Sequence, residues 1–271
     1  MLIWKKGVEC KMNFKFKKRF GQNFIKQENI VKKISSVIGE KKGSLVIEIG
    51  CGDGRLTKEL CNDYERVLGY EIDKEVIPYL YENLKDFNNC KVICDDFLKR
   101  NLKDDLKSYK YDNLYVFGNL PYYITTPIIE KLITSDIDIS KMVFMVQKEV
   151  GDRFCASPKT KEYGSLTVYL NYYFDIKKEF EVGRGNFVPV PNVDSIVISF
   201  TKKESLKLKD EKLFFKLVKD SFRFKRKTIR NNLEGYDLDK ISNVLSKYGY
   251  DLSVRAEDLP LDVFVDISNN L

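Results

Sequence analysis

Apolar and polar positions alternate along this chain in two recurring styles. Short, nearly continuous apolar runs read as buried strands, and the stretches between them carry apolar residues at helical spacing. The first helical stretch covers 28–38, with Ile30, Ile34, Val37 and Ile38 on one face. The run SLVIEI at 44–49 then predicts a strand, and it opens directly into Gly50-Cys51-Gly52-Asp53-Gly54. Helical spacing resumes at Leu56. Further strands are predicted at 66–70 (RVLGY), 91–94 (KVIC), 113–118 (NLYVFG) and 141–147 (KMVFMVQ), with Asp73 placed to cap a helix at 74–85 and Pro127 near the start of the next one. Strand alternating with helix is the signature of a doubly wound parallel α/β sheet. Residues 163–182 continue with a helix and a strand. Phe187-Val-Pro-Val-Pro191 reads as an extended loop, because proline cannot sit in a central strand, and 193–200 as a closing strand. Beyond about 205 only helical spacing remains. The expected division is a short leader at 1–12, an α/β domain at 13–204 and a small helical domain at 205–271.

Composition narrows the chemistry. The chain has 271 residues and no histidine, which excludes Ser–His–Asp and Cys–His nucleophiles and any imidazole base. The cysteines Cys10, Cys51, Cys61, Cys90, Cys94 and Cys155 form no CxxC pair, so no metal site is expected and they read as reduced, buried thiols. No run of 18 apolar residues and no signal-peptide core occurs, so a membrane-free, cytoplasmic protein is expected. The net charge of +7 is uneven. Residues 1–33 carry ten lysines and arginines against two acids, and 202–230 carry twelve against four. The rest of the chain is net acidic. Two basic segments flanking an acidic body suit a polyanionic partner, although either could be a plain solvated helix face.

Three strand ends carry candidate ligand groups. The glycines after the first strand allow tight turning and close approach of a ligand, with Gly50 and Gly52 as contacts. Their GxGxG spacing puts Arg55 where a dinucleotide fingerprint needs its last glycine, which argues against a pyrophosphate seat. Glu71 ends the second strand, 21 residues after Gly50, where an acid can accept both ribose hydroxyls. Asp96 follows the third strand at the height of an adenine ring. Taken singly, each acid is more simply a cap or a solvated loop residue. In this order they predict an adenosyl ligand. After the fourth strand comes Gly118-Asn119-Leu120-Pro121-Tyr122. Pro121 stiffens the loop, the Asn119 side-chain oxygen and the Leu120 carbonyl can converge as acceptors, and Tyr122 offers a stacking face. That set suits the exocyclic amine of a flipped adenine. The plainer alternative is an Asn-X-Pro turn with a buried tyrosine.

These residues resemble a known family. Asn119-Leu-Pro-Tyr122 is similar to the fourth motif of the N6-adenine RNA methyltransferases, and Glu48-Ile-Gly-Cys-Gly52 to their S-adenosylmethionine loop. Arg19-Phe-Gly-Gln-Asn-Phe24 resembles their N-terminal motif, Phe187 to Ser195 their late proline-rich loop, and Arg226-Lys-Thr-Ile-Arg-Asn-Asn-Leu233 the basic helix start of the ribosomal small-subunit dimethyltransferases. The resemblance runs from about residue 14 to the end. It implies a class I methyltransferase fold of Rossmann type. It also implies S-adenosylmethionine as methyl donor and S-adenosylhomocysteine as product. Cofactor contacts would come from Gln22, Asn23, Ile25, Gly50, Gly52, Glu71, Ile72, Asp96, Phe97 and Asn119. Asn119, Leu120, Pro121, Tyr122 and Phe187 would hold the target base. RNA would lie on Lys17, Lys18, Arg19, Arg223, Lys225, Arg226, Lys227 and Arg230. The implied reaction is dimethylation of N6 on two adjacent adenosines near the 3′ end of 16S rRNA in the small subunit, by a monomer. The erythromycin-resistance 23S rRNA methyltransferases share the glycine loop and the Asn-X-Pro-Tyr motif and are the nearest alternative. A non-catalytic ribosome-assembly factor on the same fold is another.

Overall fold

The computed structural model describes residues 2–5, 8–11, 22–121, 124–204 and 206–271. Seven strands form the central sheet: β1 (Ser44–Ile49), β2 (Arg66–Tyr70), β3 (Cys90–Ile93), β4 (Asn113–Asn119), β5 (Lys141–Gln147), β6 (Phe174–Val182) and β7 (Ser195–Lys202), in the order β3-β2-β1-β4-β5-β7-β6. The pairs β1–β2, β1–β4, β2–β3 and β4–β5 are all parallel. Strand β1 is interior to the sheet and buried along its whole length, which is why its sequence is a mostly apolar run rather than an alternation. Leu45, Val46 and Ile47 are fully enclosed, each contributing roughly 1.5–3 kcal/mol of apolar burial. Ser44 and Glu48 are the polar exceptions in that strand.

The order in which successive strands are added reverses between the parallel neighbours β1 and β4, so a crevice opens beyond their carboxyl ends. Helix α1 (Glu28–Ser35) precedes β1, α2 (Arg55–Asp63) follows it, α3 (Ile77–Leu84) follows β2, α4 (Leu102–Leu106) precedes β4, α5 (Thr125–Thr134) follows it and α6 (Lys148–Phe154) follows β5. Several expected bounds shift: the first helix ends at Ser35 rather than 38, and the closing strand is Ser195–Lys202 rather than 193–200. The third strand is Cys90–Ile93, one residue earlier than expected. The helix expected at 74–85 begins only at Ile77, and Asp73 caps the turn before it by accepting from the Glu75 N–H at 3.1 Å. The segment read as a plain extended loop contains a two-residue strand, Phe187–Val188, paired antiparallel with Phe24–Ile25.

The chain packs as two units. Residues up to Lys148 join Lys178–Phe200, and Glu149–Lys177 joins Thr201–Leu271. The second unit therefore includes Glu149–Lys177, which the expected division at 205 assigns to the α/β domain. Tyr163, Val168 and Tyr172 account for it, because they share a core with Phe214, Leu217, Ile241 and Phe264. That core is helical: α7 (Ser165–Tyr173), α8 (Glu211–Ser221), α9 (Ile229–Asn232), α10 (Leu238–Lys247) and α11 (Leu261–Asn270). Asp210 and Asp237 cap α8 and α10 by accepting from the Leu213 and Lys240 N–H groups at 3.0 and 3.1 Å. Among the described cysteines, Cys51 and Cys61 are buried, Cys90 and Cys155 half-buried, and Cys94 exposed. The expectation of uniformly buried thiols fails at Cys94 because it lies one residue past the end of β3.

Candidate active site

The crevice beyond the sheet is a cavity lined from the ends of β1, β2, β3 and β4. Every residue expected to touch the cofactor lines it: Gln22, Asn23, Ile25, Gly50, Gly52, Glu71, Ile72, Asp96, Phe97 and Asn119. Pro121 lines it as well. Leu120 and Phe187 do not. Leu120 is buried and donates its N–H to the Met145 carbonyl at 3.0 Å, which locks the loop to β5. Phe187, expected beside the target base, is 1% exposed and packs in the core with Ile25. Tyr122, Lys17, Lys18 and Arg19 lie outside the described residues.

Glu71 is the most tightly fixed acid. One carboxylate oxygen accepts from the Gly52 N–H and the other from the Asp73 N–H, both at 2.8 Å. A carboxylate offers about four lone-pair sites, so each oxygen can accept once more. Burial raises its pKa and the two backbone donors oppose that rise. Gly52 has φ +56, and a Cβ there would come within 2.7 Å of the Phe24 ring. Glycine therefore lets the loop pass under Phe24 while its N–H reaches Glu71.

Asp96 caps a short 3-10 turn, Phe97–Lys99, by accepting from the Leu98 N–H at 3.0 Å. That bond engages one oxygen and keeps the carboxylate at the cavity wall. Phe97 is held edge-on by the Tyr70 ring at 5.1 Å, and Tyr70 donates to Asp105 at 2.9 Å.

Asn119 ends β4. Its Nδ2 donates to the Asn23 carbonyl at 2.8 Å. That carbonyl requires a donor, which fixes the amide orientation and leaves Oδ1 as the acceptor end. Gln22 is tied in turn to Asp73 by a 2.7 Å bond from Nε2.

Two cavity residues, Arg55 and Glu48, stand in sequence motifs that by themselves assign them no contact. Arg55, which occupies the place of a dinucleotide fingerprint's last glycine, pairs through Nε with Asp53 at 3.1 Å and donates from Nη1 to the carbonyls of Ile25 and Lys26 at 2.6 and 3.1 Å. It binds the glycine loop to the segment before α1. Glu48 is 1% exposed, lines the cavity and leaves Oε2 without a hydrogen-bond partner among the described residues. Burial pushes its carboxyl up to about 8. An unsatisfied buried acceptor on a cavity wall suits a ligand that brings a donor. No group of three or more metal-ligating side chains occurs among the described residues.

The basic residues expected to meet RNA are exposed in the second unit: Arg223, Lys225, Arg226, Lys227 and Arg230. Residues 223–227 form turns ahead of α9 rather than a helix start, and Thr228 is its N-cap.

A profile described as "Ribosomal RNA adenine dimethylase" matches residues 13–271. A protein named "Ribosomal RNA small subunit methyltransferase A" in Macrococcus caseolyticus is 42% identical over 268 residues, covering 95% of this chain and 90% of that protein. The one of the same name in Streptococcus gordonii is 43% identical, covering 95% and 92%. Among solved structures, a dimethyladenosine transferase from Plasmodium falciparum superposes with a TM-score of 0.75 at 26% identity, covering 90% of this chain and 95% of that one.

Proposed function

The chain belongs to the ribosomal RNA adenine dimethylase family, and from that premise we propose that it dimethylates N6 of two adjacent adenosines near the 3′ end of 16S rRNA, within the small ribosomal subunit. The observation that carries this reading is the convergence of Glu71, Asp96 and Asn119, from three separate strand ends, on one cavity. Bound S-adenosylmethionine supplies an electrophilic methyl group on a sulfonium.

The residues of the chain do the remainder. Glu71 accepts from ribose hydroxyls with its spare lone pairs, and Asp96 accepts from the adenine amine of the cofactor. Glu48 receives a donor from the amino-acid end. On the substrate side, an adenine amine is a poor nucleophile because its lone pair is delocalised into the ring. Asn119 Oδ1, oriented by the bond from Nδ2 to Asn23, accepts one amine hydrogen and draws the nitrogen toward tetrahedral geometry. The Leu120 carbonyl is the second acceptor, Pro121 keeps the loop stiff, and Tyr122 stacks on the base. Positioning of this kind supplies much of the rate. Phe187 supports the cavity wall from the core through Ile25. The proton leaves to water after transfer, so the absence of histidine is compatible with the reaction.

Lys17, Lys18 and Arg19 and the cations of 223–230 hold RNA phosphates, which position the substrate without reading its sequence. The second unit is the RNA-binding part of a cytoplasmic monomer. The test is mass spectrometry of rRNA from cells lacking the gene, with tritium transfer from labelled cofactor to their small subunits. Loss of N6,N6-dimethyladenosine from 16S rRNA, restored by the purified protein, is expected. Unchanged 16S rRNA with loss from 23S rRNA overturns the reading.

A further inference from the structure

The turn at 223–227 holds more than charge. Phe224 stands in the middle of it and is 54% exposed, among the most exposed large apolar side chains described. Its neighbours Arg223, Lys225, Arg226 and Lys227 are cationic and exposed, and no acid occurs between Asp220 and Glu234. A phenylalanine left in water gains nothing for the fold, and a single one needs no explanation. This one is held in place.

The holding group is Asn232 in α9. Its Oδ1 accepts from the Phe224 N–H at 3.2 Å, and its Nδ2 donates to the carbonyls of Ser221 and Phe224 at 2.7 and 3.3 Å. The Lys227 N–H also donates to the Phe224 carbonyl at 2.9 Å. The Arg223 guanidinium lies over the Phe224 ring, 5.3 Å from its centre. Lys225 is anchored as well, donating from Nζ to the Lys161 carbonyl at 3.0 Å. The backbone of Phe224 is thus fixed by three hydrogen bonds, while its ring, with Arg223 over it, stays about half exposed and is flanked along the chain by further cations.

Rigid aromatics interleaved with cations match single-stranded nucleic acid, whose bases stack while its phosphates are neutralised. We infer that Phe224 is a base-stacking residue, and that the second unit grips an unpaired nucleotide of its RNA through this ring while the adjacent cations hold the flanking phosphates. This rests on the reading of the protein as an RNA-directed enzyme. It goes beyond that reading by assigning a base contact within a surface otherwise made of charge.

The test uses the full chain with unmethylated small subunits and with a short oligoadenylate as probes. F224A should weaken binding to both by about tenfold, the range set by one lost stack, while F224W should bind as the native protein does. Stacking releases no counterions, so F224A should keep the native dependence of affinity on salt, whereas R226E/K227E should flatten it. Cofactor affinity and melting temperature should not move in F224A. F224W in a W4F background gives a direct signal, since Trp4 is the sole native tryptophan: its fluorescence should be quenched by oligoadenylate. Native affinity in F224A overturns the inference, as does a flattened salt dependence in F224A or an unquenched F224W. Quenching of F224W by oligoadenylate while small subunits remain unmethylated would defeat the proposed reaction and leave the stacking role standing.

Discussion

The side chain of Asn119 donates to the backbone carbonyl of Asn23 at 2.8 Å, joining the end of β4 to the segment before α1. One amide thereby does two things: its nitrogen closes the cavity wall and its oxygen is presented as an acceptor.

Replacing Asn119 should separate those two contributions. Asn119→Ala removes the acceptor and should lower methyl transfer by about 10²–10³-fold or more, the scale seen when one preorganised polar group is lost from a reacting centre. The bond to Asn23 contributes on the order of 1 kcal/mol, so cofactor affinity should fall by about tenfold at most. Asn119→Asp keeps an acceptor but turns a carboxylate oxygen toward the Asn23 carbonyl, and should weaken cofactor binding more than the alanine variant does. Equilibrium dialysis with labelled cofactor, run beside tritium transfer, measures both. Normal turnover in Asn119→Ala would remove this residue from the chemistry.

Glu71 predicts a loss that is structural and functional at once. Glu71→Gln places an amide NH₂ against one of two backbone donors, Gly52 or Asp73, that both require an acceptor. An unsatisfied buried N–H costs about 1–3 kcal/mol, so the melting temperature should drop by several degrees. Calorimetric titration should show cofactor affinity reduced by about 100-fold, since the ribose acceptor is displaced together with the loop. A variant that melts lower yet binds cofactor normally would confine Glu71 to shaping the glycine loop.

Glu48 predicts a pH dependence of defined sign. Its carboxyl is pushed from 4.5 to about 8 by burial. Between those values the folded protein holds a proton that the unfolded chain has released, so stability falls as pH rises through the window. The full shift corresponds to at most about 5 kcal/mol, with water entering the cavity relieving part of it. Urea unfolding from pH 5 to pH 9 should show a smaller decline in Glu48→Gln than in the native protein, with the two curves diverging as pH rises. Parallel curves would show that the cavity solvates Glu48. A ligand that brings a donor to Oε2 should narrow the same gap, so adding cofactor should raise native stability most at high pH.

Much of this site was legible along the chain because its parts sit at strand ends, where a local pattern announces them. SLVIEI and KMVFMVQ form strands over the residues that their apolar runs mark, and the groups following β1, β2 and β3 meet at one cavity. What escaped depends on contacts between distant segments. Phe187–Val188 pairs with Phe24–Ile25 over two residues, too short for any periodicity to show. Arg55 reads as a failed glycine position, and only the fold reveals that its guanidinium reaches the carbonyls of Ile25 and Lys26. Residues 149–177 read as a continuation of the α/β domain, and the aromatic packing of Tyr172 against Phe214, 5.3 Å between ring centres, places them with the helices instead.

The short ladder between Phe24–Ile25 and Phe187–Val188 also bears on the order of events during synthesis. The glycine loop and its acids are translated early and can assemble on β1 and β2 while the chain is still growing. The wall that Ile25 contributes gains its strand partner only after Val188 has emerged. Contacts so distant in sequence form late, because the entropy of closing the intervening chain must be overcome first. A nascent chain therefore has every lining residue of the cavity, from Gln22 to Ile128, well before it has the strand that braces Ile25.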